Sequence, residues 1–290
     1  MTAAQAITLH FDGKEHYAKK RIQQLKAAGL IERRVRRVNE SAILFLAEAG
    51  LKLLQARGML DEFSNFALPA LLKRRLGSPL TDRHEIKVMD VKTAFHASVR
   101  RIPGHLISEF STWPRQIEFT VSTGEIVKPD GFMRIAERTS DSSIADHAFF
   151  LEIDRSTEKL ETLVFKAARY AAYYRSGGFA ERNGAPLSSY AKHPFRVLMI
   201  LDSAERRNNL LGRLLQRFPS ILTQVHVATF EEVMADPFGA IWIRPVDYRN
   251  ALRRTAFEVR QVHGRAGYRR DLARDVFVQK SVPKRRLLAA

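Results

Sequence analysis

The sequence predicts an α/β protein in two units, an N-terminal winged helix followed by a larger α/β domain. Three observations point there. Residues 2–57 read as helix, helix, strand pair and helix; residues 106–153 hold short apolar runs of strand length; residues 157–243 alternate long amphipathic stretches with short apolar ones. The chain has 290 residues, enough for two domains. The division expected is a winged-helix unit over 1–60, a connector over 61–81, the α/β domain over 82–245 and a basic tail over 246–290.

In the first unit, Thr2 to His10 reads as a short helix and Asp12-Gly13 as a turn. Lys14 to Ala28 is a second helix, with Ala18, Ile22 and Leu25 at core-facing spacing and Gly29 in the usual stop position. Leu30 to Val38 reads as a strand, Asn39-Glu40-Ser41 as a turn, Ala42 to Leu46 as the returning strand and Glu48 to Arg57 as a helix. A winged helix normally has one more helix in front, so the first domain is expected to be truncated or completed by a partner. Its second helix would enter a major groove with the wing near phosphates. The candidate nucleic-acid contacts are Lys19, Lys20, Arg21 and Gln24 on the helix and Arg33, Arg34, Arg36 and Arg37 on the wing. The competing reading is a basic amphipathic helix packed on a hairpin with no DNA role.

Pro69 to Leu76 is a short helix inside the connector, broken by Gly77-Ser78-Pro79. Asp82 to Arg101 is helical, with Ile86, Met89, Val91, Ala94, Phe95 and Val99 mostly inward. Strands are expected over Leu106 to Phe110, Ile117 to Val121, Ile126 to Ile135 and Ala148 to Ile153, with Ser122-Thr123-Gly124 as a hairpin turn. A long helix from Thr157 to Arg175 buries Leu160, Leu163, Val164, Ala167, Ala171 and Tyr174. Phe195 to Leu201 is a continuous apolar run, as in a buried parallel strand. A helix from Ala204 to Arg217, a strand from Gln224 to Thr229 and Ile241-Trp242-Ile243 complete the unit. Beyond about residue 246 the chain reads as basic and either partly helical or disordered.

The charge balance selects the partner. The formal net charge is +17. Residues 13 to 38 hold nine Lys or Arg against two acids, and residues 249 to 290 hold twelve against three. An excess of this size calls for a polyanion, double-stranded DNA first, an acidic membrane surface second; charge alone does not separate DNA from RNA. There is no run of eighteen apolar residues, so no membrane insertion is expected. Zero cysteines exclude disulfides, zinc-cysteine sites and thiol nucleophiles, and fit a reducing cytoplasm.

One stretch carries candidate chemistry. Asp130 follows Pro129 in a strand-forming segment, and Glu152 ends an apolar strand, where a charge must emerge from the core. Asp154 shares a face with Glu152 if the strand continues. Lys166 and Tyr170 are i and i+4 on the next helix, off its expected buried stripe. Carboxylates that hold Mg2+ or Mn2+ against a phosphodiester, with a lysine to offset developing charge, are what metal-assisted hydrolysis needs. Asp130 and Glu152 are the candidate metal ligands; Lys166, Asp154 and Tyr170 are the candidate catalytic groups. The alternative is a set of strand-end carboxylates in water and surface salt bridges. His84-Glu85 reads as a helix start.

Pro129-Asp130-Gly131, Phe150-Leu151-Glu152-Ile153-Asp154-Arg155-Ser156-Thr157-Glu158 and Lys166-Ala167-Ala168-Arg169-Tyr170 together resemble the replication-relaxation family of plasmids and mobile elements. Arg21 to Ile31 resembles that family's winged helix. The resemblance spans roughly residues 1 to 245. It implies a restriction-endonuclease-like, PD-(D/E)xK α/β domain, a role in replication or relaxation of plasmid DNA, and replication or mobilisation proteins as partners. The lysine of the nuclease motif belongs at position 154, where this chain has Asp154; Lys166 could supply that charge from the helix. Glu85 or Asp90 could add the acid that some relatives carry on the first helix. Two functions stay open on this reading: a metal-dependent endonuclease or nickase, and a non-catalytic DNA-binding regulator on an inactive nuclease-like scaffold.

Overall fold

The computed structural model describes all residues except 37–38, 62, 64–65, 114–116, 122–123, 157, 218–222, 254–281 and 289–290. It is a mixed α/β structure around a five-stranded mixed sheet. Among the described residues no helix is long and apolar enough to cross a membrane.

The chain opens with α1 (Ala3–His10), whose Thr2 and Gln5 form a reciprocal capping box, and α2 (Glu15–Ala27). Gly29, at φ +67°, ends α2: its N–H donates to Lys26 O, and the Leu30 N–H reaches back to Leu25 O. Ala18 is the fully buried residue of α2, while Ile22 and Leu25 are half-buried. Strand β1 (Ile31–Arg34) pairs antiparallel with β2 (Ile43–Leu46), and α3 (Glu48–Ala56) follows. The paired part of β1 is shorter than the nine residues expected: Val35 and Arg36 are unpaired, and Arg37 and Val38 lie outside the described residues.

After α4 (Leu68–Arg75) comes α5 (Pro79–Val99). It starts three residues before the helix expected from hydrophobic periodicity. Ser78 caps it, its side chain accepting from the Thr81 N–H, and Pro79 fits the first turn, where no donor is needed. Helix α5 is the shared support of the molecule. Gln5 of α1 donates to Asp90 Oδ1 (2.6 Å) and Ile86 O (3.1 Å), Arg100 pairs with Asp12 (2.9 Å), and Arg34 of β1 pairs with Asp82. Asp90 is thus spoken for by α1.

The main sheet contains β3 (His105–Ser111), β6 (Gly131–Arg138), β7 (Ile144–Ile153), β8 (Phe195–Leu201) and β9 (Val225–Thr229), in that spatial order. The β3–β6–β7 part is antiparallel, and β8 and β9 run parallel to β7. Helices α6 (Leu160–Arg175) and α8 (Ala204–Arg217) cover one face, and α5 with α9 (Phe230–Ala235) covers the other. Between α6 and β8 lie α7 (Gly178–Arg182) and a 3-10 turn over Leu187–Lys192.

Three sequence expectations are corrected by this packing. The run from Ile126 to Ile135 is not one strand. It splits into β5 (Ile126–Val127), which pairs with β4 (Phe119–Thr120) in a separate ribbon, and β6. Pro129, without an N–H, marks the break, and Asp130 N then joins the main sheet by donating to Leu151 O (3.0 Å). The expected turn residues Ser122 and Thr123 lie outside the described residues.

Tyr170 is not off the buried stripe but fully buried, and Tyr173 is more buried than Tyr174. The ribbon lies over α6 and widens its covered face. Phe119 stacks on Tyr173 (3.9 Å between centroids) and sits 5.4 Å from Tyr170. Ile241 to Ile243 forms isolated bridges rather than a strand, Ile243 to Val227 and Trp242 to Arg285. Trp242 turns inward, and its indole N–H donates to Pro237 O (2.9 Å).

A helix continues over 245–253. Val282, Leu287 and Leu288, from the segment read as a basic tail, are buried against the α/β core, and Arg285 grips Asp247 at 2.8 and 2.9 Å.

His226 on β9 is buried, and burial, aided by the Arg196 charge, holds its imidazole down to about 4 from an ordinary 6.5. A depressed pKa contributes stability that is present above 6.5 and lost as pH falls towards 4, on the order of 3 kcal/mol. In urea unfolding, wild type should lose that much more stability between pH 7 and pH 4 than His226→Asn does. Equal losses would contradict the assignment.

Candidate functional site

The cleft that holds the candidate acids is built by three pieces of chain meeting at the end of the sheet. It has a volume of about 340 Å3, and its lining includes Thr81, His84, Asp130, Glu152, Asp154, Glu158 and Lys166. Asp130 stands just before β6, where the chain enters the sheet after Pro129. Glu152 lies at the end of β7, the one acid in the otherwise apolar run Ala148–Ile153. Lys166 and Tyr170 project from adjacent turns of α6.

Glu152 is 1 % exposed. A carboxylate so deep must be paired and hydrogen-bonded. Lys166 Nζ donates to Oε2 at 3.0 Å and Tyr170 OH donates to Oε1 at 2.6 Å. Burial pushes the Glu152 carboxyl up to about 7 against the pull of Lys166; the Asp130 charge adds to the rise and the Tyr170 hydrogen bond opposes it. Burial also opposes the charge on Lys166, but Glu152, Glu158 and Asp130 outweigh it and hold its pKa above the ordinary lysine value. Lys166 therefore stays cationic, bridging Glu152 and Glu158 (3.2 Å). Burial first, and Glu152 second, push Tyr170 well above 10, so its hydroxyl keeps the proton it donates.

Asp130 is held by two donors: the Ile153 amide on Oδ2 (2.7 Å) and the His84 imidazole at Oδ1 (2.8 Å). The Asp130 bond raises the His84 pKa in spite of burial. Reading His84 as a helix start missed this role. The signal was its place on the first turns of a helix that packs across the sheet end, which the sequence could not connect to Asp130. Neither Glu85 nor Asp90 lines the cleft.

Asp154 continues the β7 pattern. Its N–H donates to Ile200 O (2.9 Å), and its carboxylate pairs with Arg206 of α8. Asp154 is thus an acid paired with an arginine. Asp154 Oδ1 is buried with no hydrogen-bond partner. Among the described residues no three His, Asp or Glu side chains form a group that could hold a metal ion. Asp130 and Glu152 contribute two carboxylates to one cleft.

The N-terminal candidates divide. Lys19, Lys20, Arg21 and Gln24 are exposed on α2, with Lys19 paired to Glu15 (2.6 Å) and Arg21 donating to Gln24 (3.4 Å). Arg33 is exposed on β1. Arg34 is engaged by Asp82 and lies over the Phe45 ring, and Arg36 donates to Ser41 O (2.8 Å). Arg37 lies outside the described residues.

A family model described as Replication-relaxation matches residues 1–186, a stretch that includes Asp130, Glu152, Lys166 and Tyr170. No curated protein and no solved structure matches the chain.

Tyr170→Phe removes one hydrogen bond from a buried carboxylate without changing shape. The expected cost is about 2 kcal/mol in chemical denaturation. A variant as stable as wild type would mean that the Tyr170–Glu152 bond contributes nothing.

Proposed function

The chain belongs to the replication-relaxation family, and from that premise we propose that it acts in replication or relaxation of plasmid or mobile-element DNA. It binds duplex through its N-terminal helices and hairpin and breaks a phosphodiester at the Asp130–Glu152–Lys166 cleft. The observation that carries the reading is the convergence of those three residues, distant in sequence, at the end of one sheet. The winged-helix reading of residues 1–60 is supported by the order α1, α2, hairpin, α3, with the basic face of α2 exposed. The nuclease-like reading of the sheet domain is supported by an antiparallel β6–β7 pair with β8 parallel beside it and α6 between them in sequence.

Asp130 and Glu152 would hold Mg2+ or Mn2+. Two carboxylates fit that role, because Mg2+ keeps several waters and takes its remaining ligands from substrate phosphate. A cation held there would supply Lewis-acid polarisation of the phosphoryl group and a more nucleophilic water. The protein's own groups do the positioning. Tyr170 fixes the Glu152 carboxylate, the Ile153 amide and His84 fix Asp130, and Lys166 offers a charge beside the phosphate. Asp154 acts at a remove, holding Arg206 against the loop before α6, where Arg206 also donates to Glu158 O. Replication or mobilisation proteins are the partners that such a role entails.

A second reading has its own observation. Both oxygens of Glu152 are already engaged, and the group is almost wholly buried. That arrangement suits an inactive scaffold in a DNA-binding regulator. Incubation with supercoiled plasmid and Mg2+ or Mn2+ separates the two. Nicking or linearisation by wild type, lost at least 100-fold in Asp130→Asn with Glu152→Gln, is expected. Bound but intact plasmid would reject the catalytic reading in favour of the scaffold.

A further inference from the structure

We infer that one DNA duplex lies across both the α2–hairpin surface and the cleft, with the first turns of α5 joining the two. The inference rests on the DNA-binding reading above and adds to it where on the DNA the cleft sits. Residues 80–84 of α5 face both ways. Towards the N-terminal unit, Asp82 pairs with Arg34 of β1 and Arg83 approaches Glu40 of the hairpin connection (3.6 Å). Towards the cleft, Leu80 O accepts from Arg155 (2.7 Å) and His84 bonds Asp130 (2.8 Å). Five helical residues advance about 6 Å along the axis. The hairpin and the cleft are therefore separated by the girth of one helix and not by a linker.

The juxtaposition is held at further points. Further along α5, Gln5 bonds Ile86 O and Asp90, and Arg100 pairs with Asp12, so the N-terminal unit is pinned at three levels of one helix. One turn of duplex is roughly 34 Å long. A duplex seated on the hairpin would reach the cleft within a fraction of a turn. Lys20 on α2, Arg33 on β1 and Lys159, immediately ahead of α6, are exposed cations. With a net charge of +17, a polyanion is the occupant that complements this surface.

The absence of cysteine lets a single introduced thiol carry an iron chelate that cuts any nearby DNA backbone by hydroxyl radical. Three exposed sites serve: Gln23→Cys on α2, Leu80→Cys at the cleft rim, and Leu187→Cys beside Gly177, just past the far end of α6 and about 15 Å along that helix from Lys166 of the cleft. Divalent cations are withheld, so the protein's own chemistry plays no part. With a labelled duplex bound, the Gln23 and Leu80 probes should both cut severalfold above the Leu187 probe. Scission from Gln23 with Leu80 no better than Leu187 would overturn the shared-duplex inference while leaving DNA binding intact. Failure of all three proteins to shift duplex in a gel would overturn the DNA-binding reading, and this inference with it.

Discussion

A single buried carboxylate organises the molecule. Strand β7 is apolar from Ala148 to Ile153 except for Glu152, and a charge at that depth is tolerated only with partners. Those partners dictate much of the surrounding structure. Lys166 and Tyr170 set the rotation of α6 against the sheet. Tyr170 must then be buried, and the β4–β5 ribbon covers it with Phe119. The ribbon exists because Pro129 interrupts the strand, and the same interruption delivers Asp130 to the cleft. An ion pair of this kind is weak evidence for stability, since desolvation offsets its attraction.

The second organising element is α5. It packs Val91, Phe95 and Val99 into the sheet while its polar residues bind the N-terminal unit at Asp82, Ile86, Asp90 and Arg100. Arg34 and Arg36, which by sequence alone look available for phosphates, spend their charge inside the protein. Of the candidate contacts among the described residues, those on α2 and Arg33 remain exposed. Arg206 pairs with Asp154 in the same way, so that acid does not add bare negative charge to the cleft.

Local signals carried well into the structure. Gly29 ends α2, Phe195–Leu201 is a central parallel strand, and Ala204–Arg217 is a helix, each because short-range chemistry decides it. The sequence also placed Lys166 and Tyr170 on one helix near Glu152. What it could not supply was tertiary. Tyr170 sits outside a single-stripe pattern because α6 is covered twice, by the sheet and by the ribbon, and no periodicity argument anticipates a second covering. His84 reaches Asp130 across 46 positions of chain. Val282, Leu287 and Leu288 return to the core from a segment whose charge masks its few apolar residues.

Asp130 and Glu152 are the proposed cation-binding pair. Mn2+ binding to the DNA-free protein, read by the loss of free-ion signal in electron paramagnetic resonance, tests it without relying on cleavage. The account predicts one ion bound by wild type and at least tenfold weaker binding by Asp130→Asn. Binding unchanged by that substitution, or none by wild type with or without DNA, would contradict it.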